Sequence, residues 1–168
     1  MIFLALGSNL HSSKGNRFYN INSALLYLEQ NNIKIIRKSS FYETPSYPNK
    51  KDPKFINIVI EIESNLSPSN LASIIFSVEE RLERKRKKKN EPRTCDIDII
   101  DYNSKIIHFK YANSNFTIPH KKLTFRNFVL YPLKEISPNW KHPKTGEIIV
   151  DIINRLSKSE KMSILKVK

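Results

Sequence analysis

The sequence predicts an α+β fold, an antiparallel sheet with two amphipathic helices packed on one face. Three observations predict it. Residues 55–63, FINIVIEIE, alternate strictly, with Ile56, Ile58, Ile60 and Ile62 on one side and Phe55, Asn57, Val59 and Glu61 on the other. Two stretches, Phe18–Leu28 and Leu71–Leu82, repeat apolar residues at spacings of three and four, the helical period. Helical and extended stretches then succeed one another without an internal repeat or a dividing linker.

The elements follow in order. IFLAL, residues 2–6, is a short apolar run that reads as a buried strand, ended by the turn GSNL. Phe18, Ile21, Leu25 and Leu28 mark the first helix, and Asn31-Asn32 stops it. Residues 33–42 are rich in β-branched and aromatic side chains and read as one strand. TPSYPNKKDPK, residues 44–54, carries three prolines and no periodicity, so it reads as a long exposed loop. The strand 55–63 follows. Ser67-Pro68 supplies an N-cap and a first-turn proline for the second helix, whose stripe is Leu71, Ile74, Ile75, Val78 and Leu82. KKKNEP is a second loop, and residues 95–101 a further strand that Asn103-Ser104 would turn into a hairpin with residues 105–109. Beyond it come a strand, a loop and a short helix started or interrupted at Pro132, then a tail with a weaker pattern. Strand, helix, strand, strand, helix, strand is the split βαβ, or ferredoxin-like, order. It leaves the sheet face opposite the helices free for a ligand.

A length of 168 residues suggests a single domain spanning 1–168. MIFLAL lacks a basic leader and a cleavage site, and no run approaches a membrane span. The lone Cys95 forms no internal disulfide and builds no cysteine zinc site. A cytoplasmic protein with no membrane partner fits these features. The net charge of +13 favours anionic partners. Most lysines read as a scattered solvated face, but RLERKRKKK, residues 81–89, concentrates seven basic residues in nine.

The chemistry centres on NEPRTCDIDII, residues 90–100. Asp96 and Asp98 leave one face of a strand, roughly 6.5 Å apart, and carboxylates at that spacing can hold Mg²⁺ together with substrate phosphates. On spacing alone the pair reads equally well as the solvent face of an edge strand, paired to lysines. Arg84, Arg86 and Arg93 lie nearby in sequence and suit the oxygens of a polyphosphate. Only Gly7, Gly15 and Gly146 exist, so no glycine-rich phosphate loop can be built. His120 is a candidate phosphate contact, although a lone histidine in a loop is more often an ordinary surface residue. Phe128, two residues after Arg126, taken alone is more often a core aromatic, but together Phe55 and Phe128 can sandwich a flat heterocycle whose edge Asn57 reads.

These residues sit in stretches that match a known family. ALGSNL (5–10), SSFYETP (39–45), FIN (55–57), the helix end with Glu79 and Arg84, PRTCDIDI (92–99), IPH (118–120) and RNFVLYPLKEISP (126–138) occur in its order. The chain resembles the 6-hydroxymethyl-7,8-dihydropterin pyrophosphokinases of folate biosynthesis. The resemblance implies a ferredoxin-like fold and transfer of the β,γ-diphosphate of ATP, the co-substrate, to the pterin hydroxymethyl oxygen. It implies that Asp96 and Asp98 bind two Mg²⁺ ions, and that Arg84 and Arg93 are catalytic and touch ATP. Ile99, His120 and Arg126 would also bind ATP. Phe55 and Phe128 would stack on the pterin, Asn57 would bond its edge, and backbone around Thr44 and Tyr47 would complete its pocket. The implied partners are these small molecules, with no nucleic acid, and the implied state is a monomer.

Three positions depart from the family pattern. Asn90-Glu91 stand where a Trp-Gly or similar pair is frequent, Glu83 where glycine is frequent, and Phe55 where tyrosine is frequent. An RNA-recognition module is the main rival, since it too presents aromatics on such a sheet. It lacks here the glycine- and aromatic-rich signature, and two aspartates on its binding face would repel phosphate. A protein that kept the fold and lost the chemistry is the other rival, and Asp96, Asp98, Arg84, Arg93 and His120 speak against it.

Overall fold

A computed structural model describes residues 1–47, 49–85, 91–112 and 114–167. Strand β1, Ile2–Ser8, is buried along its whole length and lies inside a six-stranded antiparallel sheet. A continuous apolar run can bury both faces, and a strand covered on both sides needs one. On one side β1 pairs with β5, Asp96–Tyr102, and on the other with β4, Phe55–Glu63. Beyond β4 lie two short strands, β2 (Lys34–Lys38) and β3 (Tyr42–Thr44), and β8 (Leu165–Lys166) pairs with β3.

Helix α1, Arg17–Gln30, and helix α2, Pro68–Arg81, cover one face. Both are capped by side chains, Asn16 accepting from Tyr19 N and Ser67 from Asn70 N. Under them lie Leu4 and Leu6 of β1, the four isoleucines of β4, and Ile97 and Ile99 of β5. The other face is not left free, as the element order alone suggested. Phe3, Ala5, Val59 and Ile100 are covered there by α3, Asn127–Ile136, and α4, Ile149–Asn154. Only the end of that face near Gly7, Asn57 and Asp96 remains for a ligand.

Three other expectations need correction. Residues 33–42 are not one strand but β2 and β3. From Lys34 to Tyr42 the chain advances eight residues against six on β4, from Glu63 to Asn57, so it bulges outward. Ser39 holds the break, its N–H donating to Val59 O and its Oγ accepting from Val59 N, each at 3.0 Å. The turn at Asn103-Ser104 exists, with φ of 53° and 56°, but the following strand does not pair with β5. Strand β6, Ile107–Tyr111, pairs with β7, Ser114–Ile118, as a separate ribbon. Aromatic contacts explain the choice of partner. Phe109 stacks on Phe116 with ring centroids 4.9 Å apart, and Phe76 of α2 meets Tyr111 edge-on at 5.2 Å.

Helix α3 begins five residues before Pro132 and carries the proline inside. An internal proline costs about 3 kcal/mol. Burying Val129, Leu130, Leu133 and Ile136 outweighs that, at about 1.5–3 kcal/mol for each side chain. The tail after residue 148 is ordered as α4, α5 (Lys158–Met162) and β8. Asn127 Nδ2 ties α5 to the start of α3 by donating to Glu160 O and Ser163 Oγ.

Candidate active site

Strand register assembles the site. Gly7 pairs with Asp96 on one side and with Asn57 on the other, and Asn57 pairs with Tyr42. Asp96, Gly7 and Asn57 therefore form one cross-strand row on the face of α3. In the next row Asp98 stands opposite Ala5, which pairs with Val59. A β-carbon at position 7 would lie 3.0 Å from Asn57 Oδ1 and 3.5 Å from Phe55 Cδ1. The glycine thus leaves an open floor between the carboxylates and the amide. Asn57 Nδ2 donates to Thr44 Oγ1 at 3.0 Å and to Tyr42 O at 3.4 Å, which turns its Oδ1 toward that floor.

Arginines surround the two aspartates. Arg84 and Arg93 reach the two oxygens of Asp96 at 2.6 and 2.8 Å, and Arg126 reaches Asp98 Oδ2 at 2.8 Å. Burial pushes the Asp96 carboxyl up, but Arg84 and Arg93 outweigh it and hold it below the usual carboxylate range. Burial likewise opposes the charge on Arg84, and Asp96 and Glu79 reverse this and raise it. Arg93 lies over the Phe55 ring and Arg126 over the Phe128 ring, each 5.5 Å from the centroid. Each of these arginines joins a carboxylate to an aromatic plate.

The remaining expected residues are distributed unevenly. Burial, then Arg126, depresses the basicity of His120, while Asp98 and Asp96 oppose them. Its Nδ1 accepts from Lys122 N at 3.0 Å, so the neutral ring presents Nε2–H. The Ile99 side chain is buried under α1 and α2. Ile97 N donates away from β1 to Glu79 at 2.8 Å, so the backbone of Ile99, two residues on, points off the same sheet edge. Thr44 is buried beside Asn57, whereas Tyr47 is 80% exposed. Arg86, Asn90 and most of the basic cluster lie outside the described residues.

Glu83 adopts a left-handed φ of 63°, where glycine is favoured. Its carboxylate accepts from Ser13 N at 2.9 Å and from Ser13 Oγ, which ties the end of α2 to the loop after β1. Two residues that the sequence reading placed in matched stretches without a role also belong to the site. Glu79, almost wholly buried, bonds both Arg84 and Ile97 N. Its signal was its position, since it falls four residues after Ile75 on the apolar stripe of α2. Asn9, 2% exposed, follows β1 and binds residues from two other loops.

Two concavities border the site. One of about 430 Å³ beside α2 is lined by Ser73, Phe76, Glu79, Arg84 and Tyr111 among others. The other, about 550 Å³, is lined by Asn9, Arg17, Glu43, Pro53 and Lys54 among others. Asp96 and Asp98 line neither; Arg84 links them to the first.

Residues 3–138 match the family model of 7,8-dihydro-6-hydroxymethylpterin-pyrophosphokinase. The chain belongs to this family. A curated pyrophosphokinase of Aquifex aeolicus is 35% identical over 142 residues, covering 84% of this chain and 83% of that protein. The folic acid synthesis protein fol1 of Schizosaccharomyces pombe is 34% identical over 155 residues, 92% of this chain but 20% of that protein. This chain thus spans about a fifth of the length of that relative. A solved Plasmodium falciparum HPPK-DHPS structure superimposes with a TM-score of 0.76 over 98% of this chain and 47% of that one, at 17% identity. That likeness speaks to the pyrophosphokinase fold: mixed α and β, with an antiparallel sheet flanked by helices.

Proposed function

We propose that the protein transfers the β,γ-diphosphate of ATP to the hydroxymethyl oxygen of 6-hydroxymethyl-7,8-dihydropterin, a step of folate biosynthesis. The observation that carries the reading is the row of Asp96, Gly7 and Asn57, ringed by Arg84, Arg93 and Arg126, in a chain of this family. The substrate oxygen forms a bond to the β-phosphorus and loses its proton. The bond from that phosphorus to the oxygen it shares with the α-phosphate breaks, and AMP leaves with that oxygen.

The donor set fits Mg²⁺. Two carboxylates on one face are hard oxygen ligands, and no group of three His, Cys, Asp or Glu side chains among the described residues could hold a metal in a closed cage. Mg²⁺ suits such a pair because it retains water and takes substrate phosphates. Asp96 and Asp98 would hold the two expected ions, which supply Lewis acidity at the phosphate and hydroxyl oxygens.

The protein's own groups do the positioning that phosphoryl-type transfer needs. Arg84, Arg93 and Arg126 exchange carboxylate oxygens for phosphate oxygens as ATP enters, and His120 donates from Nε2. The cleft beside α2, with Arg84 in its lining, takes the nucleoside, and the backbone of Ile99 serves it from the neighbouring edge of β5. Phe55 and Phe128 stack on the pterin, and Asn57 Oδ1 accepts from its edge above Gly7. The loop from Thr44 through Tyr47 to Lys54 closes over the pterin and excludes water.

The antiparallel path β5–β1–β4–β3, with α1 and α2 as its crossovers, supports a ferredoxin-like arrangement. The reading makes residues 1–168 one catalytic domain, monomeric and cytoplasmic, with ATP and the pterin as partners. No helix among the described residues is long and apolar enough to cross a membrane.

The test is an assay with ATP, Mg²⁺ and the pterin that follows AMP and the pterin diphosphate. Pterin-dependent AMP, lost with EDTA and lost in Asp96→Ala and Asp98→Ala, is the expected result. ADP in place of AMP overturns the reaction, and turnover at the wild-type rate in either variant overturns the metal assignment.

A further inference from the structure

We infer that Asn9 is a positioning residue that couples the pterin-side loop to Arg93. This rests on the pyrophosphokinase reading and adds to it a residue with no role so far. Asn9 stands just beyond β1, buried, where three separate segments meet. Its Oδ1 accepts from Arg93 N at 2.7 Å, and the N–H groups of Asn9 and Leu10 both donate to Arg93 O at 3.1 Å. The backbone at Arg93 is thereby held by three bonds. Its Nδ2 donates to Ser46 Oγ and to Pro53 O, each at 3.0 Å, and Ser46 Oγ also donates to Pro53 O at 2.7 Å.

That second set pinches together both ends of the loop between Thr44 and Phe55. The two halves of one amide thus grip two substrate-side elements. The oxygen half fixes the residue that holds Asp96 and lies over Phe55. The nitrogen half fixes the loop that leads into Phe55 two residues later. One acceptor and two donors in a planar fork are what the site uses. Asp lacks the donors, and Ser cannot span both sides.

The split gives a test that a merely structural role would not pass. The full chain is assayed by steady-state kinetics with ATP, Mg²⁺ and the pterin, alongside thermal melts. Asn9→Asp keeps the acceptor for Arg93 and loses both donors to the loop. It is expected to raise the pterin KM about tenfold while kcat stays within about threefold. Ser46→Ala, which touches only the loop side, is expected to move the pterin KM in the same direction. Asn9→Ala loses both sides and lowers kcat about tenfold as well.

Hydrogen exchange supplies a readout that needs no turnover. Peptides covering 45–54 exchange faster in Asn9→Asp while the Arg93 amide stays protected, and Asn9→Ala releases both. Wild-type kinetics and exchange in the folded variants overturn the proposal, as does a lowered melting temperature with both unchanged. If Asn9→Ala does not fold, Asn9→Asp and Ser46→Ala decide. If the wild-type protein yields no AMP, the pyrophosphokinase reading falls, and unchanged exchange at 45–54 in Asn9→Asp then overturns the coupling separately.

Discussion

Gly7 shows how much one absent methyl group decides. Its floor lies between the carboxylate of Asp96 and the oxygen of Asn57, and a β-carbon there would crowd Asn57 Oδ1 at 3.0 Å. Overpacking of this kind costs about 1–3 kcal/mol. Gly7→Ala is therefore expected to raise the pterin KM about tenfold while the ATP KM stays within about twofold, measured by steady-state kinetics; equal change in both would place the strain elsewhere. Asp96, Asp98 and Asn57 were legible in the sequence because alternation along a strand is a local rule. The function of Gly7 was not, since it depends on Asn57 fifty positions away. The arginines were visible as charge, but which carboxylate each would meet was not: Arg84 reaches Asp96 across a helix end, and Arg126 reaches Asp98 from before α3.

At the scale of elements, the turn at residues 140–148 carries a pH response. His142 Nδ1 accepts from the N–H groups of Lys144 and Thr145, at 3.2 and 3.3 Å. Burial, joined by Lys144 against the opposing charge of Asp101, lowers its basicity in the native state. The unfolded chain, with an ordinary histidine value of about 6.5, then takes up a proton first as the pH falls. Stability is expected to drop below about pH 6.5 and to level off only once the native ring protonates. His120 shifts in the same direction and adds to the slope. Thermal melts across this range should show a smaller decline in His142→Gln than in the wild type, and an identical decline would count against the assignment. The elements themselves were legible where their periodicity was strong, as in α1, α2 and β4. Their partners were less so. A pattern of extended residues at 33–42 and 105–109 does not say where the ladder breaks or which strand is joined, because bulges and aromatic contacts with α2 decide that.

Across the whole molecule, 29 Lys and Arg against 16 Asp and Glu leave a net charge of +13. Such an excess destabilises the compact state by self-repulsion. Raising NaCl from about 10 to 150 mM shortens the screening length from about 30 Å to about 8 Å, so the melting temperature is expected to rise. A fall would mean that local pairs such as Arg84–Asp96 govern instead. The sequence was least informative about the far layer of the molecule. Ile149, Ile152 and Ile153 cover the second sheet face, in a tail whose pattern was too short to read.

The sheet also answers a hazard set by its own composition. Isoleucine-rich strands with bare edges tend to join other chains. Here β8 lies along the outer side of β3, and Glu79 takes the Ile97 N–H on the outer side of β5. The remaining edges are short: β8 has two residues, and β2 carries Lys34, Arg37 and Lys38 beside its one exposed apolar residue, Ile36. Covered, short or charged at its margins, the sheet offers a neighbouring molecule little to pair with, and the same lysines that burden the fold with charge help to keep it from aggregating.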